Sequence, residues 1–455
     1  MVLKDKKVLV VGLATSGIPT VNTLVTAGAY VTVNDIKSKD HLQEIMNELS
    51  RFEVEYILGR HPLDDEIEGF DLIVLSPGVP TDLPFIEKSR ACGKEIIGEL
   101  ELAYQLCRGR FVAITGTNGK TTTTALTGEI FKNAKTETYV VGNIGVAAVS
   151  KALEASENAY MVTEVSSFQL ESIKGFKPII SAVLNITPDH LNRHKTMDNY
   201  IDAKANIFKN QEAADKLVLN ADDEIVYNLK KRTKSYVIPF SRKKVLDHGA
   251  FVLEHHIVVK EEGKAHQIIC DVDELQIPGD HNLENALAAA AIAYWVGIDI
   301  QWIAYTLRSF KGVEHRIEFV DEIDGVQYIN DSKGTNPDSS IAAIKAMRRP
   351  IVLIAGGMDK GSDFTDFINT FSNKVKHMIL FGETAVKIKN TAEKCGFKHC
   401  ILVKNLDEAV DVASKNALKG DVVLLSPACA SWDMYKSFEQ RGQHFKDCVK
   451  KIRRS

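Results

Sequence analysis

An apolar pentapeptide that runs straight into a glycine-lysine loop constrains this chain more than any other segment. Phe111-Val112-Ala113-Ile114-Thr115 has the composition of a strand buried on both faces. Gly116-Thr117-Asn118-Gly119-Lys120-Thr121 follows at once, and a helical pattern starts near Thr122. Strand, glycine loop and helix in that order call for a mainly parallel sheet with helices packed on it, because each crossover must return over a face. The loop suits phosphate. Glycines let the backbone approach an anion, and successive N–H groups point at it. Lys120 is placed to reach β and γ phosphates, and the Thr121 hydroxyl to reach a magnesium ion. Position 114 is Ile, so the loop reads GxxGKT rather than GxxxxGK[ST]. Strand, two glycines, lysine and threonine together argue against a bland turn.

The same alternation recurs along the 455 residues, a length that suggests about three domains. Residues 7–12 read as a buried strand, 16–26 as a helix and 29–35 as a returning strand, a βαβ unit. Residues 70–76 and 94–98 add strands and close a first small domain at 98. Strands at 160–165 and 179–186 belong with the glycine-lysine loop. The β-branched stretch 237–277 suggests a small antiparallel patch. An alanine-rich helix spans 283–296, with Asn282 as its cap. A third domain begins near Val313, with strands at 327–330, 351–355, 378–381 and 422–426. The expected division is 1–98, 99–312 and 313–455. The expected fold class is α/β in three domains: Rossmann-like, phosphate-loop ATPase-like with a mainly parallel sheet, and Rossmann-like again.

Other strand ends carry chemistry. Gly12, Ala14 and Gly17 have GxGxxG spacing with alanine in the middle, and Asp35 ends the next strand. A structural turn and a nucleotide-binding turn both fit that pattern. Glu164 ends one strand of the central domain. Asn185-Ile186-Thr187-Pro188-Asp189-His190 closes the next, so carboxylate and imidazole face one crevice, as a metal site requires. Lys204, in a helical stretch, reads alone as a solvated lysine. In the third domain, 330–336, 356–361 and 426–431 are polar loops after buried strands. Together they suggest a site for a polar anion, with Lys360 as a carboxylate partner.

Composition narrows the partners. Hydrophobic residues make up 45% and charged residues 25%, which excludes a largely disordered chain. A net charge of −4 leaves no global nucleic-acid footprint. Cysteines at 92, 107, 270, 395, 400, 429 and 448 form no CxxC pair and read as reduced thiols. The first residues resemble a leader superficially, but Asp5 interrupts the basic stretch and the apolar run ends at Gly12. The longest apolar helical stretch, 286–298, is too short to span a bilayer. The expectation is a cytoplasmic monomer without membrane insertion.

Taken together, the motifs resemble those of the ATP-dependent Mur ligases, amide-forming enzymes of peptidoglycan precursor synthesis. The resemblance spans essentially the whole chain. It rests on GTNGKTT at 116–122, GNIG at 142–145, TEVSSFQLE at 163–171, LNITPDHLNRH at 184–194, Lys204, PGDHNLENALAA at 278–289 and EHRIE at 314–318. NDSKGTN at 330–336 and LSPACASWDMYKSFEQRG at 425–442 are similar to members that add D-glutamate to UDP-N-acetylmuramoyl-L-alanine.

The resemblance implies roles residue by residue. Gly116, Thr117, Asn118, Gly119, Lys120, Thr121 and Thr122 would hold the ATP phosphates, and Thr121 a magnesium ion. Glu164 and His190 would ligate a second magnesium, with Lys204 as a carbamylated lysine beside it. Asn143 would lie near the UDP-sugar and metal. Asn282, Asn285, Arg316 and Asp331 would contact the nucleotide. Thr335, Lys360, Ser431 and Phe438 would hold D-glutamate. Ala14, Thr15, Asp35 and Lys37 would hold uracil and diphosphate, which gives the alanine-containing turn a role. The implied reaction passes through an acyl phosphate and involves domain closure. Competing readings are a sister ligase, a phosphate-loop motor or switch ATPase, a nicotinamide dehydrogenase built on 12–35, and a non-enzymatic scaffold. The dehydrogenase leaves the loop at 116–122 without a role, and the scaffold leaves unexplained why acidic, basic and glycine-rich strand ends recur in all three domains.

Overall fold

Three sheets organise the chain in a computed structural model, which describes residues 1–13, 16–143, 146–277, 279–359 and 361–453, apart from the side chains of Glu44 and Asn192. The chain divides into two compact units. One comprises Met1–Glu274 with Glu284–Arg308, the other Leu275–Leu283 with Ser309–Ser455.

The first unit holds two sheets. β1 (Lys7–Val11), β2 (Tyr30–Asp35), β3 (Val54–Leu58), β4 (Leu72–Leu75) and β5 (Glu95–Gly98) form a parallel sheet in the order β3-β2-β1-β4-β5. Its centre, β1, is a run of Val and Leu buried by helices on both faces, as a parallel sheet demands. The order reverses beside β1, so its carboxyl end opens a crevice. Gly17 is fixed by that turn, since a Cβ there would fall 2.5 Å from the Gly12 carbonyl oxygen.

The second sheet contains β6 (Arg110–Thr115), β7 (Thr138–Gly142), β8 (Tyr160–Glu164), β9 (Ile180–Val183), β10 (Lys216–Asn220), β11 (Tyr236–Ser241), β12 (Gly249–Leu253), β13 (His256–Lys260) and β14 (Gln267–Asp271). Their order is β14-β13-β12-β11-β10-β9-β6-β8-β7. β7 to β12 pair in parallel through β6, while β12, β13 and β14 form an antiparallel meander. The β-branched stretch is therefore antiparallel from β12 onward, whereas β11 extends the parallel sheet. Phe111, Phe176 and Tyr104 meet edge to face, with Phe111 and Phe176 centroids 5.5 Å apart. That packing holds helix Glu99–Leu106 under β6.

Buried carboxylates fasten the same helix. Glu101 accepts hydrogen bonds from the N–H groups of Lys174, Gly175 and Phe176, each at 2.9 Å. Glu99 accepts from Val149 N at 2.8 Å, and burial pushes its carboxyl above the usual range despite the Val149 and Gln169 hydrogen bonds.

The second unit contains β15 (Glu318–Ile323), β16 (Val326–Asn330), β17 (Ile351–Ala355), β18 (Val375–Leu380), β19 (Cys400–Leu402) and β20 (Val422–Leu425), in the order β15-β16-β20-β17-β18-β19. Only β15 runs antiparallel to its neighbour. Asn330 pairs with Leu425, and Leu425 with Ile354, so the loops after β16, β17 and β20 leave one edge together.

The alanine-rich helix spans Asp280–Val296. It starts earlier than its apolar pattern suggests. Asn282 N and Leu283 N both donate to the Gly279 carbonyl, which puts Asn282 inside the first turn rather than at the cap. Among the described residues, no helix is long and apolar enough to cross a membrane. All seven cysteines are free thiols.

Candidate active site

The phosphate loop leaves β6 at the point where the central sheet reverses direction, between β8 and β9. Gly119 caps helix Lys120–Asn133 with φ +82°, a left-handed conformation that a side chain would strain. A Cβ there would also strike the Asn285 amide oxygen, at 2.3 Å. Asn285 accepts from the Thr123 hydroxyl at 3.2 Å, so the alanine-rich helix packs its amide directly over the loop. Thr117 N donates to Asn185 O, and Asn118 N to Asn185 Oδ1 at 2.8 Å. The Thr117 hydroxyl lies 3.2 Å from the Tyr200 hydroxyl. The strand end at 185–187 thus fixes the loop's shape. Thr121 and Thr122 are buried in the first helical turn.

Two lysines converge on the loop. Lys120 Nζ donates to Gly116 O at 2.9 Å and Thr117 O at 2.8 Å. Lys204 Nζ donates to Gly116 O at 2.8 Å and stands 4.6 Å from the Tyr200 ring centre. Lys204 is 1% exposed, the opposite of the solvated lysine its helix suggested. Burial first, and then the charge of Lys120, pushes its amine well below the usual lysine range. Asp189 and Glu164 pull the other way.

Glu164 ends β8 beside this pair and is 2% exposed. Its Oε1 accepts from Asn143 Nδ2 at 2.9 Å. Its Oε2 is buried with no hydrogen-bond partner among the described residues. A buried unpaired carboxylate oxygen is costly unless a cation satisfies it. The Glu164 carboxylate and the Thr121 hydroxyl are oxygen donors of the hard kind magnesium takes, whereas the His190 imidazole is a borderline donor. His190 holds φ +53°, and its ring centroid lies 4.9 Å from that of Phe168.

At the first sheet, Asp35 braces two loops at once. Its Oδ2 accepts from Leu13 N and its Oδ1 from Lys37 N, both at 2.9 Å. Ala14 and Thr15 lie outside the described residues, as do Ile144 and Gly145 of the GNIG segment.

The second unit presents its own polar edge. Asp331 Oδ2 accepts from Ser426 Oγ at 2.7 Å, and the Ser426 and Ser340 hydroxyl oxygens lie 2.8 Å apart. Burial pushes the Asp331 carboxyl up to about 6, against the Ser426 hydrogen bond and the charge of Arg316. The Lys333 ammonium stands 4.9 Å from the Phe438 ring centre. Ser431 is buried, and Thr335 N donates to Lys333 O. Lys360 lies outside the described residues. Asn282 belongs to this unit and Asn285 to the first.

Sequence reasoning assigned no role to several residues that shape these edges. Arg441 is fully buried and donates to Ser332 Oγ, Ser332 O, Ala430 O and Cys429 O, tying two of the three loops together. Tyr200, four residues before Lys204 on one helix face, was available from its spacing. Arg193 donates to Gly78 O, Val79 O and Glu171, which nothing in its sequence neighbourhood announces.

Strand, loop and helix end define the central sheet as that of a phosphate-loop nucleotide-binding protein. Residues 6–98 match the Mur ligase MurD-like N-terminal domain, residues 114–293 the Mur ligase middle domain, and residues 315–429 the Mur ligase glutamate ligase domain. The chain belongs to the Mur ligase family, whose members are ATP-dependent, magnesium-using enzymes that form amide bonds. A protein of Alkaliphilus oremlandii named UDP-N-acetylmuramoylalanine–D-glutamate ligase is 57% identical over 455 residues, covering all of both chains. A protein of the same name from Clostridioides difficile is 53% identical, again over both full lengths. Among solved structures, UDP-N-acetylmuramate-alanine ligase from Thermotoga maritima superposes with a TM-score of 0.62 at 20% identity, over 98% of this chain and 100% of that one. UDP-N-acetylmuramoylalanyl-D-glutamyl-2,6-diaminopimelate–D-alanyl-D-alanyl ligase from Acinetobacter baumannii gives 0.61 at 16% identity, over 92% of this chain and 90% of that one. These distant structures share the three-domain α/β fold.

Proposed function

We propose that this chain joins the amine of D-glutamate to the terminal carboxylate of UDP-N-acetylmuramoyl-L-alanine, releasing ADP and phosphate, as a cytoplasmic monomer in peptidoglycan precursor synthesis. The observation that carries the reading is 57% identity over the entire length with a relative named for that reaction.

A carboxylate is a poor acyl donor, because its oxide leaving group is strongly basic. Transfer of the γ-phosphoryl group of ATP to the substrate carboxylate makes an acyl phosphate. The D-glutamate amine then attacks the acyl carbon, and the tetrahedral intermediate collapses to amide and phosphate. The first step brings two anions together, so the site must neutralise charge. Lys120 and the loop N–H groups serve the phosphates. Thr121 would hold one magnesium ion, and Glu164 and His190 a second, each ion supplying charge neutralisation at the transferring phosphoryl group. Asn143 would bridge the UDP-sugar and the Glu164 carboxylate.

Lys204 is assigned as a carbamylated lysine. Burial holds this amine well below its usual range, which favours the neutral form that attacks carbon dioxide, and the carbamate would turn a cation into an anion beside the metal position. Asn282, Asn285, Arg316 and Asp331 are assigned to the nucleotide. Thr335, Lys360, Ser431 and Phe438 are assigned to D-glutamate, and Ala14, Thr15, Asp35 and Lys37 to the uridine diphosphate. The division into 1–98, 99–312 and 313–455 for UDP-sugar, ATP and amino acid belongs to the same proposal.

The test is phosphate release with ATP, magnesium and UDP-N-acetylmuramoyl-L-alanine, with and without D-glutamate, and with L-glutamate and L-lysine in parallel. Release that needs both the UDP-sugar and D-glutamate supports the assignment. Release with another amino acid moves the chain to a sister activity. Release that needs neither would overturn the assignment in favour of a plain ATPase.

A further inference from the structure

Far along the second unit, a set of donor atoms converges that the ligase reaction does not use. His444 and Cys448 lie one turn apart on helix Phe438–Ile452, so both project from one face. Asp407 lies in the first turn of helix Leu406–Asn416, which packs against that face. His444 Nε2 is 3.0 Å from Asp407 Oδ2, and Cys448 Sγ is 3.4 Å from Asp407 Oδ1. The three donor atoms all lie within 4.8 Å of one another.

These separations are near those that a small tetrahedral ion imposes. Bonds of about 2.0–2.3 Å to N, O and S give ligand–ligand edges of roughly 3.3–3.7 Å. The two contacts, at 3.0 and 3.4 Å, are already close to that length but reach different Asp407 oxygens, and side-chain rotations that bring one oxygen onto both partners complete the set. The imidazole is also oriented from behind. Tyr435 Oη lies 2.9 Å from His444 Nδ1, which turns Nε2 towards Asp407. Ligating imidazoles are commonly held in this way through their other nitrogen. The Lys451 ammonium, 3.4 Å from Asp407 Oδ1, is the charge that opposes a cation. Its side chain is 70% exposed, and the long stem can carry it into solvent.

The other candidate triad, Glu314, His315 and Glu318, differs on this point. There Lys446, whose side chain is only 16% exposed, bonds both carboxylates. That position already holds its cation.

We infer that Asp407, His444 and Cys448 form a binding site for a borderline-soft divalent cation, zinc before magnesium or calcium, with a fourth position left to water. The donor chemistry sets the preference, since thiolate and imidazole favour zinc whereas magnesium takes oxygen. On binding, the Cys448 S–H bond breaks, its proton leaves to solvent and a sulfur–metal bond forms, with no electron transfer. The ion would staple helix Leu406–Asn416 to the middle of helix Phe438–Ile452.

The test uses the full-length protein, stripped with chelator and then saturated with magnesium to fill oxygen-ligand positions. Zinc uptake is followed by equilibrium dialysis, and cobalt serves as a spectroscopic stand-in. The expected result is about one zinc per chain at micromolar free metal, a raised Tm and a thiolate-to-cobalt charge-transfer band. Cys448→Ser should abolish the band, and His444→Gln should weaken uptake at least about 10-fold. His444 is partly exposed, so its replacement keeps the test open if the buried Cys448 variant folds poorly. Retained ligase turnover in both variants would report an intact fold. Equal zinc uptake by wild type and both variants, a cobalt spectrum without the thiolate band, or no uptake would each overturn the proposal.

Discussion

The amino nitrogen of Lys204 lies 2.8 Å from the carbonyl oxygen of Gly116, so the helix Met197–Ala205 touches the first residue of the phosphate loop. The contact buries a lysine whose nearest cation, Lys120, donates to the same carbonyl. Two amines on one oxygen repel each other when both are charged. Loss of the proton from Lys204, or its conversion to an anion, relieves that repulsion.

Lys204→Ala should therefore lower kcat by at least about 100-fold without unfolding the protein. Steady-state kinetics and thermal unfolding check this together. In wild type, rates in carbonate-free buffer should fall and recover with added bicarbonate. A Lys204→Ala enzyme with ordinary turnover would remove the lysine from the mechanism.

Glu164→Gln keeps an oxygen to accept from Asn143 and replaces the unpaired Oε2 by an uncharged amide nitrogen. The magnesium concentration for half-maximal activity should rise about 10- to 100-fold, with stability equal to or above wild type. A magnesium titration of activity reads this directly. An unchanged magnesium requirement would show that the unpaired Oε2 does not face an ion.

Asp331 gives a pH dependence with a definite sign. Its folded carboxyl titrates at about 6, above the unfolded value near 4, so the folded state binds the proton more tightly. The stabilisation this gives is complete below about pH 4 and is lost as pH rises through about 6. Relative to Asp331→Asn, wild type should lose on the order of 2–3 kcal/mol between those limits. Denaturant titrations of both proteins across the window measure the difference. Parallel curves would mean that Asp331 does not titrate there.

Glu101 accepts from a row of backbone amides at full burial, so Glu101→Gln leaves N–H groups facing an amide that also carries donors. The expected cost is about 1–3 kcal/mol of stability, read as a lower denaturant midpoint at unchanged m. Little change would mean that the 174–176 turn re-satisfies itself.

Which parts of this were legible in the sequence follows from how local each signal is. The phosphate loop was legible because strand, glycines and helix are adjacent in the chain. Strands such as β17, an unbroken apolar run, announced themselves for the same reason. β3 did not, because an edge strand that is only half-buried shows no such run. The helix at Asp280 began a turn early because its start is set by the Gly279 carbonyl, not by the apolar stripe. Lys204 reads as solvated on its own helix, and its burial comes from Gly116 and Tyr200, which lie elsewhere in the chain. The Asp35 brace on Leu13 and Lys37 was likewise invisible until the sheet put the two loops together.

The chain enters its second unit briefly at Leu275–Leu283, returns to the first, and leaves again at Ser309. Ile277 is buried within that visit, and a Cβ at Gly312 would sit 3.3 Å from its side chain. A gene divided at codon 309 would thus encode a carboxyl-terminal product missing part of its own wall. A rearranged reading frame that carries codons 275–283 along with the later ones would restore that wall.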